Sequence, residues 1–442
     1  SPKLLSQMDF KKFRSLQLLL LGLTYSCFYF SRLNLGIIHN QLALAYNWDY
    51  SAYGKIIAVA QLVYAIGVLF NGPIVDKIGS KVSIMIGMVG AFTSNILMGI
   101  TYYIAGSSFS FGAEKYTYSG SLLLSALTIV WSTNYFFQTL GALSIVSNNS
   151  KWWQVKERGR ASGLFGALIQ IGRILVATLC PLILLFLPWP WAFFIPAMLL
   201  AIAFLFVWRF IKESPEEMGV QYFNEPATHL PIKEILKKVF TSKVILFSSV
   251  LAFSLGAIRN GIEHWYSRFF ASQYHLPNNG LGKFAPYMMY SSLFPLAMIL
   301  ASLLAGPSSD KYFKSGRFPV ISLSLVGVLL TLPLLSLGIC NPWLASLFLV
   351  LVMFFLQGAN SMLMGCLPAD ISGRSAASST AGFFDSSQYF GGSLMGTIIP
   401  LVLDHYKKAG NEWSYWPLLM IGPCIVALII STIFWNKKPR MK

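Results

Sequence analysis

One arginine inside a long apolar stretch constrains this chain more than any other feature. Arg32 is the only fully charged residue in the run from Leu16 to Ile38. A run of about 20 apolar residues spans a bilayer as a helix. An arginine well inside such a helix costs about 2.5–3.5 kcal/mol on insertion scales, so some other part of the protein must offset that cost.

The same feature recurs in the second half of the chain, where Arg259 lies in the apolar run that follows Lys243. At about 1.5 Å per residue, each arginine lies about 24 Å along its helix, counted from Leu16 or from Lys243. Guanidinium groups donate paired, charge-assisted hydrogen bonds to phosphate and carboxylate groups. Two cations at matching depths therefore predict an anion-binding site inside a membrane protein.

Composition agrees with many spans rather than one or two. Of 442 residues, 55% are hydrophobic and 11% are charged, whereas soluble domains carry about 25% charged residues. The apolar runs predict twelve spans, at residues 16–38, 51–71, 82–104, 121–146, 161–187, 189–211, 244–270, 284–306, 318–340, 343–367, 376–403 and 415–435.

The basic residues predict how these spans are oriented. The net charge is +17, and most Lys and Arg residues lie in connections on one side of the predicted membrane. The connections on the other side hold little beyond Lys115, Arg268, Lys283, Lys407 and Lys408. By the positive-inside rule, both termini are predicted to be cytoplasmic. Because these residues do not form one soluble basic face, no nucleic-acid partner is expected.

A polar insert and an internal repeat divide the twelve spans into two sets of six. The insert runs from Glu213 to Ser242 and ends in a short amphipathic piece at residues 232–240. The residues that recur are Gly72, Asp76 and Lys77 after span two, and Gly306, Asp310 and Lys311 after span eight. Such repeats are typical of transporters built from two similar halves.

We therefore predict an all-α membrane protein with twelve transmembrane helices in two pseudo-symmetric six-helix bundles. The N-terminal bundle comprises residues 1–212, a cytoplasmic linker comprises residues 213–242, and the C-terminal bundle comprises residues 243–442.

The first copy of the repeat, Gly-Pro-Ile-Val-Asp-Lys-Ile-Gly-Ser-Lys at residues 72–81, resembles the loop signature of the major facilitator superfamily. The resemblance implies a gating role for both copies rather than substrate binding. In such a loop the glycine permits close helix approach, and the aspartate and lysine pair with or cap neighbouring helix ends.

Further motifs resemble one branch of that family, the organophosphate:phosphate antiporters, over nearly the whole chain. They are Tyr-Phe-Ser-Arg-Leu-Asn at residues 29–34, Trp-Trp-Gln-Val-Lys-Glu-Arg-Gly at residues 152–159, Arg259-Asn260-Gly261 with Trp265, and Thr-Ala-Gly-Phe at residues 380–383 with Gly391-Gly392. The resemblance implies a fold of the major facilitator type. It also implies exchange of an organic phosphate for inorganic phosphate by alternating access.

The resemblance also assigns the candidate binding residues. Arg32 and Arg259 correspond to the two arginines that bind the phosphate group in that family. The other candidates, which either contact substrate or pack ordinarily between helices, are Tyr29, Tyr64, Gln138 and Trp265. The chain departs from the family pattern at three positions, where lysine, histidine and a carboxylate are replaced by Val68, Ile169 and His264.

Four further charged or titratable residues leave the coupling mechanism open. Asp385 could be protonated, paired with Arg173, or involved in proton coupling. Arg173 could be a third anion-binding cation. Glu263 lies four residues after Arg259 and could pair with it, while His264 could titrate near neutral pH or simply hydrogen-bond. Arg32 itself could instead extend along its span to the far interface.

Three functions therefore remain open from sequence alone. The first is exchange of a phosphorylated metabolite for inorganic phosphate. The second is proton-coupled carriage of a carboxylate or another anion through Glu263, His264 or Asp385. The third is a non-transporting sensor of sugar phosphate. For all three we expect a monomeric, multi-pass protein of a bacterial inner (plasma) membrane, with a small anionic solute as its partner and possible exchange against phosphate or protons.

An enzyme is not expected. The sequence contains no G-x-x-x-x-G-K-[ST], H-E-x-x-H or G-x-S-x-G motif and no large soluble domain. No cofactor or metal site is predicted, because the five cysteines lie in or beside apolar runs and form no C-x-x-C pair.

Overall fold

The computed structural model describes residues 10–111, 114–117, 119–153, 158–220, 230–276, 285–372 and 377–437. Three predicted features lie outside these ranges: residues 154–157 of the motif before span five, residues 221–229 of the linker, and Lys283.

The first six predicted spans are six long helices. They are α1 (Phe10–Tyr46), α2 (Tyr50–Ile78), α3 (Ser80–Ile104), α4 (Gly120–Trp152), α5 (Arg158–Phe186) and α6 (Trp191–Phe210). The helices continue past the apolar runs into polar residues, because an apolar run marks only the length of a helix that lies within the lipid. A two-stranded antiparallel hairpin between α3 and α4, formed by β1 (Ser108–Phe111) and β2 (Glu114–Thr117), was not predicted.

The linker and the last six spans follow the predicted order with some interruptions. Their helices are α7 (Ile232–Thr241), α8 (Lys243–Glu263), α9 (Tyr266–Tyr274), α10 (Ala285–Phe313), α11 (Arg317–Leu337), α12 (Pro342–Ser361), α13 (Leu367–Ser372), α14 (Ala377–Tyr406), α15 (Glu412–Tyr415) and α16 (Ile421–Ile433). Span seven consists of α8 and α9, and span ten consists of α12 and α13 joined by a π-helical turn. Helix α7 coincides with the predicted amphipathic piece and buries Ile235 and Val239.

In the described part of the chain, nine helices are long and apolar enough to cross a membrane by length and composition. The three other long helices, α1, α4 and α14, are more polar than these nine. Their polar side chains point inward, since Asn34, Gln138 and Gln388 are all buried. Helix α14 packs against both α2 and α8 and so joins the two sets of six helices. The most polar spans are therefore the ones placed to build an internal site.

Two glycines explain how α14 approaches α8 so closely. A Cβ atom at Gly391 would lie 2.0 Å from the backbone oxygen of Phe253, and one at Gly256 would lie 2.1 Å from that of Gln388. Small residues at such crossings let membrane helices pack backbone against backbone. Gly391 thus has a packing role in the motif quoted above.

The repeated motif does not form loops, and that part of the prediction is wrong. Gly72, Asp76 and Lys77 lie inside α2, and Gly306, Asp310 and Lys311 lie inside α10. Both helices run on through a proline in the motif, because membrane helices tolerate proline when neighbouring groups satisfy the freed carbonyls.

The second copy of the motif shows one expected contact and lacks another. Asp310 forms an ion pair of 3.0 Å with Arg317, the first residue of α11. This matches the expectation that the aspartate pairs near a neighbouring helix end. A Cβ atom at Gly306 would meet nothing within 4 Å among the described residues, so close helix approach is not the reason for glycine there.

Glu213, at the start of the linker, ties the linker to helices α3 and α4. Its carboxylate accepts hydrogen bonds from the backbone N–H groups of Ser80 (2.9 Å) and Lys81 (2.8 Å) at the start of α3. It also forms an ion pair with Lys151 near the end of α4. Burial raises the pKa of Glu213, but the hydrogen bonds from Lys151 and from the two N–H groups outweigh burial and hold this pKa below its ordinary value.

We expect Glu213→Gln to lower thermal stability by about 1 kcal/mol at neutral pH, as loss of a helix cap does. Because the pKa is lower in the folded state, the stabilisation is present above the ordinary glutamate pKa of about 4.3 and is lost as the pH falls through the folded-state pKa. Melting curves of both proteins between about pH 7 and pH 3 should therefore converge as the pH falls. Glu234→Gln, at an exposed position of α7, is the control. A stability difference that does not change with pH would contradict this role.

Candidate functional site

Arg32 lies deep in α1 among tyrosine rings. Its side chain is 2% exposed. Its guanidinium carbon lies 4.5 Å from the ring centre of Tyr29, 5.2 Å from that of Tyr64 and 6.0 Å from that of Tyr389. These distances suit cation–π attraction. The alternative in which Arg32 extends to the far interface is therefore wrong, and its Nη1 atom has no hydrogen-bond partner among the described protein atoms.

Arg259 reaches the same region from α8. Its guanidinium carbon lies 5.9 Å from the ring centre of Tyr389, so both arginines contact the ring of one residue of α14. That ring stacks on Tyr64, with centroids 3.9 Å apart and an angle of 29° between the planes. The Nε atom of Arg259 is buried without a hydrogen-bond partner in the described part of the protein.

Arg173 on α5 and Glu263 at the end of α8 form a buried ion pair. Their side chains are 5% and 6% exposed. Arg173 also donates a hydrogen bond of 3.4 Å to the hydroxyl of Tyr29. Two expectations are corrected here: Glu263 pairs with Arg173 rather than with Arg259, and Arg173 pairs with Glu263 rather than with Asp385. The physical reason is that α5 and α8 bring these two side chains together, which spacing along a single helix cannot show.

Asp385 lies half-buried on α14, within the electrostatic influence of both Arg259 and Arg32. In the described part of the chain it forms no direct ion pair with either arginine. Tyr389 lies four residues further on and therefore on the same face of α14. One face of α14 thus presents a carboxylate and the shared tyrosine to the two arginines.

The three arginines act on a common region. Arg32, Arg259 and Arg173 all exert a direct electrostatic effect on Tyr29 and on His264. Arg173 pairs with Glu263, and Arg259 and Arg32 act on Asp385, so this group of five side chains carries a formal charge of +1 when both carboxylates are ionised. Charges interact strongly where water is excluded, so a bound anion would lower the energy of this arrangement.

Gln138 on α4 belongs to a polar network that positions the helix carrying Arg32. Its Nε2 atom donates a hydrogen bond of 3.2 Å to the hydroxyl of Ser31. Asn34, on α1 with Ser31 and Arg32, donates a hydrogen bond of 2.9 Å to Asn95 of α3. The Oε1 atom of Gln138 has no partner among the described protein atoms, so this amide can accept a further hydrogen bond.

Span seven is interrupted at His264 and Trp265, between α8 and α9. The indole of Trp265 is 1% exposed and meets His39 and Tyr53 edge-on, at centroid distances of 5.4 Å and 5.3 Å. Interrupted helices commonly line substrate sites in transporters. Trp265 lies six residues after Arg259 in span seven, and in the described part of the chain its ring packs with His39, Tyr50 and Tyr53.

Asp404, near the end of α14, connects the last six spans to the first six. Its carboxylate accepts hydrogen bonds from the backbone N–H groups of Tyr50 (3.0 Å) and Ser51 (2.9 Å) and from the Ser51 hydroxyl. These groups lie at the start of α2, where a carboxylate satisfies N–H groups that have no intrahelical partner. The contact must break if the two sets separate on this face.

We expect Asp404→Ala to favour separation of the two sets by about 1–2 kcal/mol, the typical loss for a helix cap. In a background without other cysteines, maleimide labelling of a Ser272→Cys variant should then become about 5- to 30-fold faster. Asp49→Ala is the matched control. Asp49 immediately precedes α2 and caps it from within the first six spans, with its carboxylate 2.8 Å from the backbone nitrogen of Ala52. Equal acceleration by both alanine variants would contradict a contact role for Asp404.

Comparison with known proteins decides the family. A sequence profile of the Major Facilitator Superfamily matches residues 21–397. The chain belongs to the Major Facilitator Superfamily.

Curated relatives of this Major Facilitator Superfamily chain include two bacterial membrane proteins. It is similar to the glycerol-3-phosphate transporter of Bacillus subtilis (strain 168), with 24% identity over 406 residues that cover 88% of this chain and 84% of that protein. It is also similar to the membrane sensor protein UhpC of Escherichia coli (strain K12), with 24% identity over 444 residues that cover 96% and 92%.

A solved structure of the xylose transporter XylE from E. coli, in a partially occluded inward-open conformation, superimposes with a TM-score of 0.71 at 14% identity. The match covers 97% of this chain and 98% of that one. The predicted twelve-helix Major Facilitator Superfamily fold is confirmed. Fold and relatives are those of membrane transporters and not of enzymes.

Two groups of aromatic residues in this region of the protein were not identified from the sequence. Tyr389 was not a candidate, although its position four residues after Asp385 on a polar span could have indicated it. Tyr53 and His39, stacked at a centroid distance of 3.7 Å beside Trp265, were also missed. Among the described residues, no group of three or more His, Cys, Asp or Glu side chains could hold a metal ion.

Proposed function

We propose that this protein is a secondary active transporter of a small organic anion, exchanging a phosphorylated metabolite for inorganic phosphate by alternating access. The observation that carries the proposal is the meeting of Arg32 from α1 and Arg259 from α8 at the ring of Tyr389. Each arginine retains a buried nitrogen without a protein partner in the described chain. Because unpaired charge inside a membrane is costly, a phosphate group that accepts these hydrogen bonds supplies what the site lacks.

The two arginines come from different halves of the chain, which suits rocking of a bundle of residues 1–212 against a bundle of residues 243–442 around the bound anion. Tyr29, Tyr64 and Gln138 complete the site from the first bundle. The similarity to a protein named as a glycerol-3-phosphate transporter supports a phosphorylated solute. The stretches of α2 at Gly72 and of α10 at Gly306, near the chain's basic connections, are the proposed gating elements.

The proposed setting is a bacterial inner membrane with both termini in the cytoplasm. Basic residues of the linker helix α7, including Lys233, Lys237 and Lys238, support that orientation. The protein acts as a monomer in this proposal, because each chain supplies both arginines.

The test is a counterflow panel in proteoliposomes loaded with inorganic phosphate. We expect labelled phosphate to enter, and glycerol 3-phosphate or glucose 6-phosphate outside to compete with it. A carboxylate such as succinate should compete weakly. Failure of phosphate-loaded vesicles to take up labelled phosphate or any organic phosphate would overturn the proposal.

A second candidate is proton-coupled carriage of an anion. It is favoured by Asp385, a half-buried carboxylate near both arginines but without a direct ion pair in the described residues. Uptake driven by a pH gradient into vesicles without phosphate would identify this mode. A sensor, as one relative is named, would instead bind phosphate esters tightly without moving them across the vesicle membrane.

A further inference from the structure

A long apolar groove runs along the outer surface of α3. Its volume is about 720 Å³. Its lining includes Val82, Ile86 and Val89 of α3, Ile129 and Phe137 of α4, and Phe204 of α6. On α3 the lining extends from Val82 to Leu97, about 22 Å at 1.5 Å per residue. The hydrocarbon core of a bilayer is about 30 Å thick, so the groove is longer than one leaflet is deep.

The groove opens toward lipid, and neither Arg32 nor Arg259 is among its described lining residues. Val89 is 52% exposed and Ile129 is 67% exposed, although both lie within apolar spans. Thr133, one turn after Ile129 on α4, donates its hydroxyl hydrogen bond back to the Ile129 carbonyl oxygen at 2.9 Å. The wall of the groove therefore stays apolar, as a surface in contact with lipid tails must be.

The helices that bound the groove are in direct contact. A Cβ atom at Gly90 of α3 would lie 2.0 Å from a ring carbon of Phe137 on α4. The ring of Phe137 therefore lies against the backbone of α3, with no intervening side chain. Such close packing fixes the distance between the two helices, so the groove has a defined shape.

Lys81 lies at the end of the groove that faces the linker. Its Nζ atom donates a hydrogen bond of 2.9 Å to the carbonyl oxygen of Trp208, near the end of α6. Met85 lies four residues after Lys81, and Phe204 lies four residues before Trp208, so each pair shares one helix face. Both Met85 and Phe204 line the groove. The Lys81 ammonium group therefore extends from α3 to α6 across the end of the groove.

The charges around Lys81 leave a positive excess. Glu213 forms an ion pair with Lys151, and Glu217 forms one of 3.8 Å with Lys212. Lys81 forms no ion pair within the described ranges, so these three lysines and two glutamates carry a formal charge of +1. An ammonium group has three donors, of which the Trp208 carbonyl takes one. Lys81 can therefore bind a further, negatively charged acceptor.

Trp208 indicates the depth of this end of the groove in the membrane. Its side chain is 58% exposed at the end of an apolar span. Tryptophan is enriched at the level of the lipid head groups. Lys81 contacts the same residue, so its ammonium group lies at the level of lipid phosphates, and the apolar lining begins at the next residue, Val82.

We propose that the groove along α3 binds one acyl chain of an anionic phospholipid from the leaflet on the linker side, with the lipid phosphate on Lys81. Basic groups between membrane helices bind anionic head groups in this way. A phospholipid fits both parts of the site, because a free phosphate ion would leave the groove uncovered and a bare acyl chain would leave the ammonium group without its acceptor. The inference does not depend on which solute the protein carries.

Lipid retention by the purified protein, measured by native mass spectrometry, tests this site. The delipidated protein is mixed with equal amounts of phosphatidylglycerol and phosphatidylcholine that have the same acyl chains. We expect one retained phosphatidylglycerol per chain, preferred over phosphatidylcholine by about fivefold, the size expected for one lysine at a membrane surface.

Lys81→Gln should abolish this preference for phosphatidylglycerol, since it removes the positive charge but keeps a side chain that can donate to the Trp208 carbonyl. Lys237→Gln is the matched control, because it removes one exposed lysine from α7 on the same side of the protein. The control should keep the preference of the unaltered protein. An undiminished preference in Lys81→Gln would overturn the assignment of Lys81 to the phosphate.

Val89→Trp tests the groove separately from the charge. The indole fills part of the groove, so retention of both lipids should fall by about fivefold or more as the acyl chain loses apolar contact. Leu330→Trp, at a position of α11 that is 65% exposed, is the control and should retain lipid like the unaltered protein.

Three other results would overturn the site. Equal retention of the two lipids by the unaltered protein would mean that lipid only surrounds the protein without selection. Full retention by Val89→Trp would place the bound lipid elsewhere. A mass of two chains without lipid would mean that a second copy of the protein covers the groove.

Discussion

Arg32→Lys is expected to reduce phosphate exchange by about 100-fold or more while leaving the protein folded. Lysine keeps the positive charge but replaces a planar fork of donors with a flexible point charge. Loss of two charge-assisted hydrogen bonds, each worth about 1.5–3 kcal/mol, is enough for a loss of that size. Counterflow rates at equal protein load measure the effect, and gel filtration with a melting curve reports folding.

Arg209→Lys is the control for Arg32→Lys, because Arg209 lies exposed in the last turn of α6. That variant should exchange phosphate at the rate of the unaltered protein. Normal exchange by Arg32→Lys would show that the fork of Arg32 does not hold the anion.

Glu263→Gln is expected to destabilise the protein by about 3–5 kcal/mol. The substitution leaves Arg173 buried without its counter-ion, and removing one partner of a buried ion pair has a cost of that size. The double variant Arg173→Gln with Glu263→Gln should recover part of the loss, because no uncompensated charge remains. Thermal unfolding followed by tryptophan fluorescence measures all three proteins.

Asp310→Asn provides the comparison for the buried pair. It breaks the ion pair with Arg317, in which the Asp310 side chain is 60% exposed. Exposed pairs contribute about 0–1 kcal/mol, so this variant should melt close to the unaltered protein. A double variant at Arg173 and Glu263 that is no more stable than Glu263→Gln alone would mean that the pair carries little energy.

The order of the spans could be predicted from sequence because lipid forces each span to satisfy its backbone within its own helix. Apolar runs therefore mark the helices, as at Leu16 to Ile38 within α1. The interruption of span seven at His264 and Trp265 could not be predicted in this way, because neither residue breaks a helix by its own backbone chemistry. The hairpin of β1 and β2 lies outside the apolar runs, where hydropathy carries no information.

The candidate site was predictable only in part. Arg32 and Arg259 stand out because a charge in a long apolar run is rare and costly, and the structure brings both to Tyr389. The partner of Glu263 could not be predicted, because it depends on which residue of α5 faces the end of α8. The i,i+4 rule compares neighbours on one helix, whereas an ion pair between helices depends on the register of two.

Two polar contacts between the first six and the last six spans bear on how the protein would change conformation. The Arg173–Glu263 pair joins α5 to α8, and Asp404 joins α14 to α2, so each links the first six spans to the last six. If the protein works by the proposed alternating access, both contacts lie between sets of helices that move relative to each other. An anion that binds Arg32 and Arg259 together would hold the same two sets near the centre of the membrane.

The most direct test of the central claim is a double-mutant cycle of phosphate binding with Arg32→Gln, Arg259→Gln and the double variant, measured by titration calorimetry on the purified protein. If one phosphate group contacts both arginines, each single variant removes most of the binding and the double variant is little worse, so the effects are strongly non-additive. Full phosphate affinity in Arg259→Gln, or losses that simply add, would contradict a shared site.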